Sequence, residues 1–354
     1  MAAMGKKHRV HFDPVDLEIE VDEDETVLDA AFRQGIGLMH GCREGQCSAC
    51  KSFLIDGDLQ MDRYSTFALA DYESEEGYVL LCRGHAYSDL EVELINYDED
   101  NLRNAKPIRD VRTEVAALTD LTHDISLLRL KLLEPTELDF NAGQYVDITI
   151  PGTDDHRSFS MATTPSSGDE LEFIIKRYPD GHFSGLLENK IKAGDELMIR
   201  GPFGAFTLRE HSERDLVFIG GGAGMAPILS VLRHMAETGN ERRAVYYYGA
   251  RTPKDLFYLD ELAELTPRLT NFEFVPCLSE EWPDDWDEIG IPGEQGLVTE
   301  VVERRESDLA EKDAYLCGPP PMIDAAMPVL EAQGVPHDRI YYDKFTSTAA
   351  PEKE

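Results

Sequence analysis

Cys42-Arg-Glu-Gly-Gln-Cys47-Ser-Ala-Cys50 decides the first part of the fold, and a fourth cysteine, Cys82, follows after 31 intervening residues. The spacing C-x4-C-x2-C…C puts three thiolates on one tight loop and a fourth on a separate segment, a set that holds two irons in a [2Fe–2S] cluster. Gly41, Gly45, Ser48 and Ala49 are small. Backbone N–H groups can therefore approach cluster sulfur and tune its potential. Structural zinc usually takes two close cysteine pairs, and Cys82 has no near neighbour of that kind. The N-terminus carries Lys6, Lys7 and Arg9 with no apolar run after them. This predicts no secretory leader, a reducing cytoplasm and no disulfide framework.

Strands are expected across 8–21, with alternation in Leu17-Glu-Ile-Glu-Val21, and again near 52–55, 78–81 and 90–95. Thr26 caps a helix that Gly35 stops. This small mixed α/β unit resembles a plant-type ferredoxin domain, which implies a β-grasp fold over residues 1–100. The resemblance rests on the four cysteines Cys42, Cys47, Cys50 and Cys82 as cluster ligands.

The chain has 354 residues, enough for two or three domains. Apolar residues make up 42% and charged residues 29%, the composition of an ordinary globular protein. Formal charge is −35, distributed as −15 over residues 1–100, −5 over 101–210 and −15 over 211–354. Such acidity excludes a phosphate-neutralising nucleic-acid binder and disfavours anionic membrane surfaces. The longest uncharged stretch, Leu216 to Leu232, spans 17 residues and is broken by Gly220, Gly221, Gly222, Gly224 and Pro227. It reads as strand, glycine loop and helix, not as a membrane span. The polar segment from Asp98 to Pro107 reads as an interdomain linker, and Ser347–Glu354 as a frayed tail.

Residues 109–208 hold closely spaced strands, expected at 111–117, 126–133, 145–150, 157–161, 171–176 and 197–200, with one short helix over 184–191. That density favours an antiparallel barrel. Arg157-Ser158-Phe159-Ser160 lies on one of these strands and resembles the Arg-x-Tyr-Ser/Thr motif of the ferredoxin–NADP reductase superfamily. The resemblance implies FAD. Arg157 would meet the pyrophosphate, Phe159 the isoalloxazine, and Ser160 the reactive flavin nitrogen. Phe159 replaces the usual Tyr, so stacking is kept and the phenol hydrogen bond is lost. Gly181-His182-Phe183-Ser184 resembles the family's phosphate loop, at a helix start that suits an anion. Ile174 to Lys176 occupies the place of the adenosine contacts. Gly201-Pro-Phe-Gly204 ends the barrel as in that family.

From 213 to 345 apolar strands alternate with helices, the pattern of a parallel sheet covered on both faces. Met225, Ile228, Leu229, Leu232, Met235 and Ala236 share one helix face. Gly220-Gly221-Gly222-Ala-Gly224-Met-Ala-Pro227 follows a strand and opens that helix, the setting for a dinucleotide pyrophosphate. Its proline departs from the Rossmann fingerprint and agrees with the same superfamily. Cys317-Gly318-Pro319-Pro-Pro-Met322 resembles the family's second nicotinamide signature, which implies a role for Cys317 beside the nicotinamide. Cys277 reads as core. The segment Tyr341–Phe345 follows an expected strand, and Phe345 corresponds to the aromatic that shields the flavin in the family. Arg251 and Lys254 favour a 2′-phosphate, whereas Asp255 and Asp260 oppose one. The balance favours NADH over NADPH.

The order ferredoxin, FAD domain (101–210 with the linker), NAD domain (211–354) resembles the reductase components of bacterial soluble diiron monooxygenases of the propane, methane and phenol type. That resemblance implies an NADH:acceptor oxidoreductase. Electrons would pass from NADH through FAD and [2Fe–2S] to a hydroxylase, with this chain a cytoplasmic monomer when free. A reductase for a ring-hydroxylating dioxygenase has the same modules. A self-contained flavin reductase and an iron–sulfur redox sensor stay as alternatives. Glu44, Glu73, Glu75 and Glu76 are expected to steer the first domain to a basic patch on the hydroxylase.

Overall fold

A computed structural model describes residues 6–41, 43–153, 155–179, 181–280, 282–284, 286 and 292–345. The chain folds as two units: 1–109 with 201–205, and 110–200 with 206–354.

The first unit opens with a hairpin of β1 (Lys7–Asp13) and β2 (Leu17–Asp22), whose alternating burial follows the period-two pattern of the sequence. Helix α1 (Val27–Arg33) starts where the Thr26 hydroxyl accepts the Asp29 N–H at 3.1 Å, and Gly35 leaves it at φ +76°. Strands β3 (Lys51–Asp56), β5 (Tyr78–Leu80) and β7 (Leu90–Glu93) complete a mixed sheet in the order β2-β1-β7-β3-β5. Its one parallel pair, β1 with β7, is the signature of a grasp-like sheet. Val10, Phe12, Ile19, Val21, Leu28 and Val92 form the core. Three features were not expected from the sequence. A two-stranded ribbon joins β4 (Leu59–Met61) to β6 (Gly84–Ala86), and α2 covers Asp71–Glu76. The polar linker also contains a helix, α3 (Glu99–Asn104), because Leu102 is buried and gives the segment an anchor.

Six antiparallel strands, in the second unit but for Arg109 of β8 and Gly201–Phe203 of β13, run in the order β11-β10-β13-β8-β9-β12. They are β8 (Arg109–Asp120), β9 (Ile125–Glu134), β10 (Tyr145–Thr149), β11 (His156–Ser160), β12 (Glu170–Lys176) and β13 (Glu196–Phe203). A bridge from Met161 to Phe173 joins the two ends, so the sheet is a near-closed barrel. Helix α4 (His182–Asn189) packs Phe183, Leu186 and Leu187 into the barrel core.

The parallel sheet runs β17-β16-β15-β14-β18-β19. Its strands are β14 (Asp215–Gly221), β15 (Ala244–Ala250), β16 (Phe272–Leu278), β17 (Glu294–Gln295), β18 (Lys312–Gly318) and β19 (Ile340–Lys344). Helices α5 (Met225–Thr238) and α6 (Leu259–Leu265) carry apolar residues of one core, and α7 (Val298–Arg305) and α8 (Pro320–Ala332) those of another. Tyr341–Lys344 lies within the edge strand β19, not after a strand as the sequence suggested, because β18 pairs with it in register. Barrel residues Ile125, Ala142, Ala162, Ile174, Phe206 and Leu208 share a core with α5 and β14, so barrel and parallel sheet are packed as one body. No helix among the described residues is long and apolar enough to cross a membrane.

Candidate functional site

The cysteine loop runs between α1 and β3. Cys42 lies outside the described residues. Cys50 and Cys82 are buried, and Cys47 is half-buried. Pairing of β3 with β5 puts Lys51 opposite Leu80, and the Leu81 N–H donates to the Cys50 carbonyl at 3.2 Å. Cys82 therefore lies one residue beyond the point where its strand meets Cys50. Gly41 passes so close to the sulfur side of the loop that a Cβ would sit 3.0 Å from Cys47 Sγ. Gly45 has φ +70°, and a Cβ there would lie 2.9 Å from Tyr64 Cβ. Gly41 is a cradle position that a side chain would fill, whereas Gly45 answers to its positive φ and to packing on Tyr64 and Arg83. A set of soft sulfur donors around such a cradle fits [2Fe–2S].

The acidic surface beside this loop is not uniform. Glu73 accepts from Lys51 Nζ at 2.7 Å and from the Ala70 N–H at 3.0 Å, closing the first turn of α2. The Lys51 ammonium, and then that N–H, hold its carboxyl below the usual range. Glu75, Glu76 and Glu44 are not buried. Glu73 is thus committed inside the unit, which the sequence alone did not foretell.

In the barrel, Arg157 is half-buried. Its one hydrogen bond among the described residues runs from Nη1 to the His156 carbonyl at 2.7 Å, with no carboxylate partner. An arginine so placed fits a phosphate. Ser158 donates to Asp147 Oδ1 at 2.6 Å across the β10–β11 pair. Phe159 packs on Phe183 with ring centroids 4.8 Å apart, which brings β11 to the start of α4. Ser160 is buried at the end of β11. His182 is exposed in the first turn of α4. Ser184 is buried and its Oγ accepts the Tyr178 N–H at 2.9 Å, fixing the loop before the helix. Thr163 Oγ1, buried three residues past Ser160, has no hydrogen-bond partner among the described residues. The arginine and this orphaned hydroxyl fit a flavin nucleotide better than a closed core. Ile174 points into the shared core, so only its backbone is open to a ligand. Lys176 bonds Asp124 at 2.6 Å, and its Cδ would be 3.9 Å from a Cβ at Gly222. It therefore stands next to the glycine loop.

That loop is shaped by close approach. A Cβ on Gly224 would lie 2.1 Å from the Cys317 carbonyl oxygen, and one on Gly221 would lie 2.9 Å from Met322 Sδ. Gly222 has φ +56°. Gly220 leaves room for Tyr246, whose hydroxyl would be 2.7 Å from a Cβ there and has no hydrogen-bond partner among the described residues. Pro227 is buried in the first turn of α5. Gly318, at φ +144°, faces the Gly221 carbonyl. Pro319 is exposed, and the Phe345 N–H donates to the Gly318 carbonyl at 2.9 Å. The glycine loop, the Cys317–Met322 segment and Phe345 are thus drawn to one end of the sheet. Backbone cradles of this kind fit a dinucleotide.

Cys317 is fully buried, and burial with the nearby Asp343 carboxylate pushes its thiol well above the ordinary range. It stays protonated and contributes its backbone and its bulk. Cys277 is likewise pushed up to about 12 by burial, as expected of core. Asp343 was not singled out from sequence. It faces Cys317 across the β18–β19 pair, is half-buried, and burial raises its carboxyl to about 6. Arg251 is exposed and 4.0 Å from Asp255, whose other oxygen accepts the Thr252 N–H at 2.9 Å. His123 and Asp124 of the barrel lie beside the same carboxylate.

Comparison with known proteins assigns families to these three regions. Residues 10–86 match the 2Fe-2S iron-sulfur cluster binding domain, 112–208 the oxidoreductase FAD-binding domain and 218–327 the oxidoreductase NAD-binding domain. The chain is 60% identical to the reductase component of propane 2-monooxygenase from Rhodococcus jostii (strain RHA1), over 98% of this chain and 93% of that one. It is 35% identical to the electron transfer component of toluate 1,2-dioxygenase from Pseudomonas putida, over 94% and 95%. Among solved structures it is similar to a cytochrome P450 reductase of Amycolatopsis, with a TM-score of 0.84 and 29% identity, covering 96% of this chain and 98% of that one. FAD, NAD and [2Fe–2S] are therefore the cofactors of this fold.

Proposed function

The chain belongs to the ferredoxin–NADP reductase-type oxidoreductases that serve oxygenases and carry an N-terminal [2Fe–2S] domain, and on that premise we propose that it takes electrons from NADH and delivers them to the oxygenase component of a soluble diiron monooxygenase. When bound, FAD accepts a hydride's two electrons and the [2Fe–2S] cluster releases them one at a time. The residues of the chain bind, aim and shield. Cys42, Cys47, Cys50 and Cys82 are the thiolate ligands. Arg157 holds the flavin phosphates, with His182, Phe183 and Ser184 at the start of α4. Phe159 would support the flavin ring, and the Ser160 hydroxyl would serve its reactive edge. Gly220–Gly224 and Pro227 seat the NADH pyrophosphate, helped by Lys176. Gly318 and Pro319 shape the nicotinamide end. Cys317 backs that end with a protonated thiol, and Phe345 would shield the flavin face there. Residues 1–100, 101–210 and 211–354 act as the cluster, flavin and nicotinamide domains of one cytoplasmic, monomeric chain.

The observation that carries this reading is the convergence of Gly224, Cys317, Gly318 and Phe345 at one strand end, in a body that also holds Arg157 and Ser160. The 60% identity to a monooxygenase reductase component, against 35% for a dioxygenase one, favours a monooxygenase as acceptor. The test mixes purified holoprotein and NADH with the oxygenase component of the Rhodococcus propane 2-monooxygenase or with that of the toluate dioxygenase. Substrate oxidation is expected with the first. Equal or faster coupling to the dioxygenase overturns the assignment, and a higher kcat/KM for NADPH overturns the choice of reductant.

A further inference from the structure

Helix α5 does more than open at the glycine loop. Its residues Ser230, Arg233 and Glu237, spaced three and four apart, lie on one helix face. All three grip one barrel segment, the chain that leaves β11 just after Ser160. Arg233 Nη1 donates to the Ala162 carbonyl at 2.8 Å. Ser230 Oγ donates to the Thr163 carbonyl at 2.5 Å and accepts the Gly143 N–H at 3.2 Å. Glu237 accepts from Thr164 Oγ1 at 3.0 Å and from Ser166 Oγ at 2.6 Å. Ala162, Thr163, Thr164 and Ser166 are thus all held by one helix face. Ser230 is fully buried, and Arg233 is fixed by Glu172, 2.9 Å from the same Nη1, and by Glu261 on its other nitrogens. Gly143 occupies a left-handed turn at φ +99°, and a Cβ there would meet the Phe206 carbonyl at 2.2 Å, so that side of the grip has no slack.

The same helix begins at the tightest contact of the nicotinamide end, Gly224 against Cys317. A helix rises 1.5 Å per residue, so Gly224 and Ser230 stand about 9 Å apart on one rigid rod. From this geometry we infer that Ser230, with Arg233 and Glu237, is a positioning residue for hydride transfer. It fixes the distance between the nucleotide loop and the strand that carries Ser160. The inference rests on the functional reading above and adds to it a residue that touches neither cofactor. Reacting atoms tolerate little error: about 1 Å of misplacement costs on the order of a hundredfold in rate. Loss of the Ser230 hydroxyl releases the Thr163 carbonyl and the Gly143 N–H together.

The test uses full-length holoprotein of the parent, Ser230→Ala and Glu237→Gln. Ser230→Ala is expected to slow flavin reduction by NADH about tenfold or more, with flavin content and the Kd for NADH unchanged. The primary isotope effect with 4-deuterated NADH rises, because transfer itself becomes limiting. In cofactor-free protein, the amides of Met161–Thr164 exchange with deuterium faster, a readout that needs no activity. Glu237→Gln, which keeps the side-chain shape, moves the same quantities in the same direction by less, and it stands alone should Ser230→Ala fail to fold. Parent-like reduction rates in both variants overturn the inference, as does a fall that merely tracks flavin content. A parent protein that cannot reduce its flavin with NADH overturns the functional reading instead.

Discussion

Gly224→Ala is the sharpest probe of the nicotinamide end. The new Cβ would stand 2.1 Å from the Cys317 carbonyl oxygen and 2.8 Å from Gly318 Cα, whereas ordinary contacts begin near 3.4 Å. Neither neighbour is a flexible side-chain tip; both are backbone at the end of the interior strand β18. Relief therefore requires the first turn of α5 or the end of β18 to move by more than about 1 Å, and such a displacement costs on the order of a hundredfold, about 2.7 kcal/mol in the barrier. Gly222→Ala is the control. It meets nothing closer than Lys176 Cδ at 3.9 Å, but its φ of +56° costs an alanine about 1–2 kcal/mol. The assay is anaerobic stopped-flow bleaching of the flavin by NADH, with dithionite reduction, flavin content and iron content measured beside it. Gly224→Ala should slow the NADH step about a hundredfold and leave the other three near parent values. Gly222→Ala should lose stability first and slow the step by less. If Gly224→Ala reduces its flavin within about threefold of the parent rate, at parental NADH affinity, the backbone contact does not set the nicotinamide position.

Cys47→Ser should abolish the cluster absorbance and acid-labile sulfide while NADH-dependent ferricyanide reduction persists; zinc without sulfide in the parent would remove the cluster assignment. Lysine at both Glu75 and Glu76 should flatten the salt dependence of electron transfer to the oxygenase component, measured where association limits the rate; neither carboxylate is buried, and surface charges act over about 8 Å at physiological salt. Arg242→Met strands the buried Asp313, its partner at 2.8 Å, and should cost about 3–5 kcal/mol, seen as a fall on the order of 10 °C in the Tm of the second unit. Asp343, raised to about 6 from 3.8, binds its proton more tightly folded than unfolded between those pH values. Stability should therefore decline as pH rises through that window, and Asp343→Asn should remove the slope in pH-dependent denaturation.

What could be read from sequence was whatever is written within a few residues. The C-x4-C-x2-C loop, the Thr26 cap, the strand–glycine–helix run at 216–232 and the face from Met225 to Ala236 all state their chemistry locally, and the structure places the cap, the run and the helix face as expected. What could not be read depended on partners far along the chain. Glu73 was expected to belong to the acidic docking patch, but it bonds Lys51, 22 residues away. The −15 of the first hundred residues suggested a broad acidic dock, although Glu20 pairs with Lys7, Glu23 with His8 and Glu25 with Arg33. Formal charge counts these paired acids with all the others and cannot separate a dock from a set of ion pairs within the unit. Asp343 sat in Tyr-Tyr-Asp-Lys-Phe without any sign that β18 would pair it with Cys317 and half-bury it.

Ser230 is the instructive case, because a usable signal existed. It interrupts an apolar run within α5, and a buried hydroxyl must find a partner or cost free energy. A serine in mid-helix commonly bonds back into its own helix, and here it reaches the barrel instead. Sequence thus raised the question of a partner, and only the packing of barrel against sheet answered it. The same logic extends to Tyr246, whose buried hydroxyl lies under Gly220 without a partner among the described residues. Its neighbours Tyr247 and Tyr248 donate to Glu306 and to the Gly222 carbonyl, so Tyr246 marks a second polar group that the fold holds beneath the glycine loop, close to the dinucleotide end.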